Sequence, residues 1–220
     1  MAAAPRSESD RKIRCWRCEV ANPPAFFCAG CGAIQSLPSD SNYSSLLGFG
    51  GGPVVDRDDL QARYYDLSRK LHPDRFVTGS PEEQRISVQA TALLNDAFRT
   101  LKDTESRGRW WLRRQEETLG RDNNRVPPEL AMLVFDIQEK IERLAGGEHH
   151  EDQELRTEMR AVETDLTRRM DDARNAVETI LREWPHEGPL EDARSNLKRV
   201  LSDLSYLRTL TRDVRASLGG

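Results

Sequence analysis

A run of apolar residues at helical spacing constrains this chain more than any other feature. Leu155, Met159, Val162, Leu166, Met170, Ala173, Val177 and Ile180 recur every three or four residues. Only a long helix puts them all on one side. The same spacing returns in Leu190, Ala193, Leu197, Val200, Leu204 and Leu207, and it precedes them in Leu130, Leu133, Ile137, Ile141 and Leu144. Gly146-Gly147 and the stretch Pro185 to Pro189 separate the three stripes. Stripes joined by such short connections must bury one another, which predicts an antiparallel three-helix bundle over 126–218.

The middle of the chain, 41–115, follows the same rule on a smaller scale. Leu60, Tyr64, Leu67 and Leu71 form one helical face, and Asp56 stands where an N-cap is needed. Ser80-Pro81-Glu82-Glu83 has the residues of a capping box with Pro at the first helical position. Ile86, Ala90, Leu93, Leu94, Ala97, Phe98 and Leu101 then supply a buried stripe. Two antiparallel helices are expected, joined by His72 to Gly79 and preceded by a short apolar segment, Tyr43 to Leu47. The polar Ser36 to Asn42 reads as a linker. Gly48-Phe49-Gly50-Gly51-Gly52-Pro53 lacks the Gly-Lys-Ser/Thr ending of a phosphate loop and reads as a flexible connection. Trp110, Trp111 and Leu112 are expected to pack the middle domain onto the bundle.

His72-Pro73-Asp74 falls where the first of these helices must stop, because Pro73 turns His72 away from helical geometry. His72 and Asp74 are therefore presented at a tip, near Arg69, Lys70 and Arg75. Pro and Asp are also common turn residues, and the tripeptide alone has two readings, a turn or a site. Its place between two antiparallel helices favours the site. Farther along, Met132 and Phe135 lie opposite the core stripe of their helix, with Asp136 and Glu139 beside them, and Tyr206 points away from its own stripe. Apolar groups rimmed by acids suit a partner surface. Singly exposed apolar residues and packing against the middle domain are the alternatives.

All four cysteines lie in 11–35, as Cys15-x-x-Cys18 and Cys28-x-x-Cys31. Two such pairs one short loop apart complete a tetrahedral thiolate site, read as structural zinc in a small zinc-ribbon-like module. Redox thiols or a cluster site are the other readings. Arg11, Lys12, Arg14, Trp16 and Arg17 surround the first pair, and the −2 charge of a zinc tetrathiolate accounts for cations there. The 220 residues are 37% hydrophobic and 32% charged, with a formal charge of −4. That balance suits small helical units and argues against a protein that coats nucleic acid. No stretch is apolar enough to span a membrane, and Met1 to Asp10 is neither a signal peptide nor a mitochondrial presequence. A cytoplasmic protein is expected, or a matrix one if eukaryotic. His149, His150 and His186 sit in turns and read as solvated. No catalytic constellation stands out, and no enzyme is expected.

Residues 43–47, 57–71, 72–74 and 81–101 resemble the helices and His-Pro-Asp loop of J-domain cochaperones. The stretch LHPDRFVTGSPEEQRISVQATALLNDAFRTL and the following ESRGRWWL are similar to the HscB family of iron–sulfur cluster assembly, over roughly residues 41–215. Some of its members, mainly of animal type, carry an N-terminal tetracysteine module. The resemblance implies a mostly α protein with three parts: a zinc module at 11–35, a J domain at 41–115 and a scaffold-binding bundle at 126–218. It implies that His72, Pro73, Asp74, Arg63, Arg69, Lys70 and Arg75 dock on a heat-shock-70-class chaperone of the HscA or DnaK type and stimulate its ATPase. It implies that Ala131, Met132, Phe135, Asp136, Glu139 and Tyr206 bind the cluster scaffold protein. No nucleotide is expected on this chain. Ala131 replaces a larger apolar residue usual in the family, and Arg143 a common acid. A general J protein for other clients and a zinc-ribbon adaptor for nucleic acid are the rival readings.

Overall fold

A computed structural model describes residues 12–115, 117, 119, 126, 128–146, 152–185 and 189–219. The protein is mostly helical, and its only strands among those residues are β1 (Ile13–Arg14) and β2 (Ala21–Asn22), an antiparallel pair in the cysteine segment. The chain divides into two compact units, Met1–Arg107 and Gly108–Gly220.

In the first unit the expected helices form, α2 and α3 with their expected caps and α1 with a cap from the residue that ends the expected linker. Asn42 Oδ1 accepts from the Ser45 N–H at 3.1 Å and starts α1 (Tyr43–Leu46). Asp56 accepts from the Asp59 N–H at 2.8 Å and starts α2 (Arg57–Leu71). Ser80 and Glu83 close a capping box on α3 (Pro81–Lys102). Each cap satisfies an N–H that the helix itself cannot. Leu60 and Leu71 of α2 and Ile86, Ala90, Leu94, Ala97 and Leu101 of α3 are buried where the two helices pack. Tyr64 stacks on Phe98 with centroids 4.1 Å apart and donates to Asn95. The Leu71 carbonyl, at the end of α2, accepts from Ser87 and Thr91 of α3 at 2.6 and 3.2 Å.

The glycine loop after α1 differs from a loose connection. Gly48, Gly50 and Gly51 take positive φ. Arg63 donates to the carbonyls of Leu47 and Gly48, its guanidinium lies over Phe49, and Asn42 Nδ2 donates to the Gly51 carbonyl. Gly48 has φ of +81°, a conformation that side chains rarely adopt, and a side chain there would also have to displace the Arg63 guanidinium, which lies 2.3 Å from where it would start. The linker expected at 36–42 is likewise partly packed, with Ser41 and Asn42 buried.

A helix not anticipated from the sequence, α4 (Thr104–Arg114), follows α3 directly and runs past the division between the units. Asp103 accepts from the Ser106 N–H at its start. In the second unit Leu112 lies in a core with Val177, Leu181, Trp184, Leu197, Val200, Leu201 and Leu204, and Trp111 meets Trp184 edge-on.

That unit holds α5 (Ala131–Gly146), α6 (Asp152–Arg182) and α7 (Glu191–Ser217). Arg156 reaches the Leu218 carbonyl, Glu163 pairs with Arg215, and Thr211 meets Met170. Partner numbers fall on one helix as they rise on the other, so α6 and α7 are antiparallel. A second core joins Leu130, Ile137, Met159, Leu166, Met170, Leu207, Leu210 and Val214. The α7 stripe thus continues past Leu207, and the three-helix bundle stands as expected.

Candidate functional sites

The four cysteines come together at the tips of two similar turns. Cys15 N–H donates to the Val20 carbonyl and Glu19 N–H to the Cys15 carbonyl. Cys28 N–H donates to Ala33 and Gly32 N–H to Cys28 in the same way. All four Sγ atoms lie within 4.8 Å of one another. Across the turns, Cys15 and Cys31 are 3.7 Å apart and Cys18 and Cys28 3.6 Å. A tetrahedron of sulfurs with a metal–sulfur distance of about 2.3 Å has edges of about 3.8 Å, so the donor set fits such an ion.

Two buried amides complete this shell, and sequence reasoning missed both. Asn22 Nδ2 donates to Cys28 Sγ at 3.2 Å, and Gln35 Nε2 to Cys15 Sγ at 3.4 Å. Each amide comes from one turn and serves the first cysteine of the other. The signal was present, since both turns read Cys-x-x-Cys-x-x-x followed by Asn or Gln. Backbone N–H groups of Arg17 and Gly30 add a donor to Cys15 and Cys28. Such donors stabilise negative sulfur. Burial pushes the Cys15 thiol up, but the Cys18 and Arg17 N–H groups and the neighbouring thiols outweigh it and bring it down to about 6. Cys28 is lowered, chiefly by the Cys31 N–H. At Cys18 the Val20 N–H acts to lower the thiol, yet the Cys31 side chain, burial and the other thiols push it up to about 12. Four thiols in one shell cannot all ionise cheaply without a cation among them.

The His72-Pro73-Asp74 tip lies where α2 ends. His72 is extended (φ −56°, ψ 131°), as a residue before proline must be, and Pro73–Phe76 makes one 3-10 turn. His72 Nδ1 accepts from the Asp74 N–H at 3.3 Å, which orients the ring. The His72 side chain is 54% exposed and that of Asp74 84%. Arg69 and Arg75 are exposed and have no ion-pair partner among the described residues. Lys70 pairs with Asp66 of its own helix face. Arg63, expected on the same docking face, has a partly exposed side chain that is engaged by Asp59 and the glycine loop.

On α5, Ala131, Met132, Phe135, Asp136 and Glu139 are all exposed, Met132 by 78% and Phe135 by 68%. Leu133 and Val134 between them turn inward to the core. Tyr206 is different from its expected placement: its ring is half buried against that core. His149, His150 and His186 lie outside the described residues. No helix among the described residues is long and apolar enough to cross a membrane.

No family model matches the chain. The mouse protein named iron-sulfur cluster co-chaperone protein HscB is 28% identical over 209 residues, covering 93% of this chain and 82% of that one. The human protein of the same name is 33% identical over 133 residues, 58% of this chain and 57% of its own length. The crystal structure of human co-chaperone protein HscB superposes with a TM-score of 0.70 at 25% identity, covering 93% of this chain and 98% of that one. These relatives are named as co-chaperones. In sequence, in fold and in the helical order that carries its tip, the chain is similar to the HscB co-chaperones.

Proposed function

We propose that this chain is a J-domain cochaperone that stimulates the ATPase of a heat-shock-70-class chaperone and delivers the scaffold protein of iron–sulfur cluster assembly to it. The observation that carries this reading is the tip: His72 and Asp74 stand exposed at the turn between two capped, antiparallel helices, in a chain whose relatives are HscB co-chaperones. His72 and Asp74 engage the ATPase, with Asp74 pairing to a cation there. Arg69, Lys70 and Arg75 meet an acidic surface, and such charges set orientation and on-rate more than affinity. Arg63 acts from behind, by holding the glycine loop on α2. Met132 and Phe135, with Ala131, Asp136 and Glu139, capture the scaffold, and Tyr206 supports that face from within the core. The two binding events place the scaffold in reach of the chaperone's substrate site.

Zinc is the ion assigned to Cys15, Cys18, Cys28 and Cys31. Its role is to cross-link the two turns, because four thiolates fill a tetrahedral site.

Single-turnover ATP hydrolysis by a matched chaperone tests the reading, with and without the scaffold protein. Stimulation is expected to rise further with scaffold and to be lost in His72→Gln, while Phe135→Ala removes only the scaffold-dependent part. Stimulation indifferent to scaffold leaves a general J protein, and none at all overturns the assignment.

A further inference from the structure

The first cysteine turn carries an exposed aromatic ring that the metal shell does not use. Trp16 follows Cys15 and is 40% exposed. Its indole N–H donates to the Ile34 carbonyl at 2.7 Å, so the ring is anchored at one edge to the second turn. Val20, in the same turn as Trp16, is 48% exposed. It lies across Gly30, with Val20 Cγ2 3.6 Å from where a Gly30 side chain would begin. An indole and an aliphatic group of one turn thus each keep exposed area while contacting the other turn.

The same turn and the strand that leads into it carry exposed cations. Lys12, Arg14 and Arg17 are exposed, and none has an ion-pair partner among the described residues. The charge of Arg17 is also felt at Glu83 of α3, whose carboxyl is lowered first by the Ser80 hydrogen bonds and to a lesser degree by Arg17. Glu19 is the only acid between Lys12 and Gln35. Tryptophan and arginine are the side chains that most often dominate protein interfaces, and a ring fixed before binding loses little entropy on docking.

We propose that Trp16 and Val20, with Lys12, Arg14 and Arg17, form a docking site for an acidic protein segment that carries an apolar side chain. Charge complementarity selects the acids, and the indole with Val20 selects the apolar group. Nucleic acid fits less well. Binding of single strands relies on successive rings, and this turn has one. Val20 offers nothing to a base stack, and the formal charge of −4 opposes a polyanion at long range. It uses none of the residues of the His72 tip or the α5 face, so it stands or falls independently of the cochaperone reading.

Fluorescence anisotropy with the zinc-loaded full chain tests it. The probes are a fluorescein-labelled peptide of Asp and Glu around a central Leu-Phe, the same peptide with Lys for the acids, the acidic peptide with Gly-Gly for Leu-Phe, and a labelled single-stranded RNA. Only the first is expected to bind. Trp16→Ala and Arg17→Glu are each expected to weaken it about tenfold, while His72→Gln and Phe135→Ala leave it unchanged. Zinc content and the far-UV spectrum confirm that the variants are folded, and Val20→Thr is a milder second probe of the apolar contact. Undiminished binding in Trp16→Ala and Val20→Thr, no binding of the first peptide, or equal or tighter binding of the RNA would overturn the proposal.

Discussion

Glu19 and Gly32 occupy the same place in the two cysteine turns, one residue past the second cysteine, and both are left-handed, with φ of +61° and +70°. Glycine holds that geometry freely, whereas a side chain at such a position costs about 1 kcal/mol or more. Glu19→Gly is therefore expected to raise the stability of the metal-loaded chain in urea by about 0.5 kcal/mol, the remainder being lost to the greater freedom of glycine in the unfolded chain. Gly32→Ala is expected to lower it. A side chain at Gly32 would meet no atom within 4 Å, so backbone conformation alone is tested. A loss on Glu19→Gly would show that another interaction of that side chain matters more. The cysteines themselves were legible because a metal-binding pair is a local pattern. The amides of Asn22 and Gln35 were not, because each serves a sulfur of the opposite turn. A repeated spacing shows only that two residues are equivalent, not what they touch.

Caps and stripes made α2, α3, α5, α6 and α7 readable, whereas α4 was hidden by Gly108, a residue that disfavours helix interiors. The structure shows why it is there: a side chain at Gly108 would begin 3.0 Å from Val177 Cγ1 and 3.3 Å from Leu201 Cδ2. Both neighbours are fully buried. Gly108→Ala gains about 1 kcal/mol of helix propensity but overpacks a filled core, which costs roughly 1–3 kcal/mol. A net loss of about 1 kcal/mol is expected in denaturant unfolding, and a net gain would mean that the core yields at that point. The strut on α2 is electrostatic. The Arg63 hydrogen bond holds the Asp59 carboxyl below its ordinary value of 3.8. A depressed folded-state value stabilises above 3.8 and loses that contribution as pH falls through the lower folded value. The stability gap between the wild-type chain and Asp59→Asn should thus be small but present at neutral pH, and should close on acidification below 3.8. A gap that persists there would assign the effect to packing.

At the scale of the molecule, the metal shell and the bundle answer to different forces. The bundle was legible from its stripes because burial of apolar area is the whole of its argument. The cysteine module within the first unit depends instead on a handful of directional contacts around its four thiols. Without the ion, four neighbouring thiols cannot all stay ionised, and two strands of two residues are left to hold the turns. The module also borders the glycine loop: Pro23 and Pro24 line a cavity of about 290 Å³ with Asn42, Ser45, Leu46, Gly50 and Gly51. Removing the metal with a chelator should therefore accelerate hydrogen exchange at Cys15–Asn22 and Phe26–Gln35, and extend it to α1 and the loop that Arg63 and Asn42 hold. Exchange in α6 and α7 should not change, because their core contains no metal ligand. Lowering the pH should act in the same direction as the chelator, since thiolates bind the ion and protons compete for them. If α1 and the glycine loop keep their protection while the turns lose theirs, the module is a tethered appendage and its packing on Asn42 and Ser45 is incidental. If α6 and α7 lose protection as well, the two units are coupled, and metal content would have to be controlled in every measurement on the α5 face.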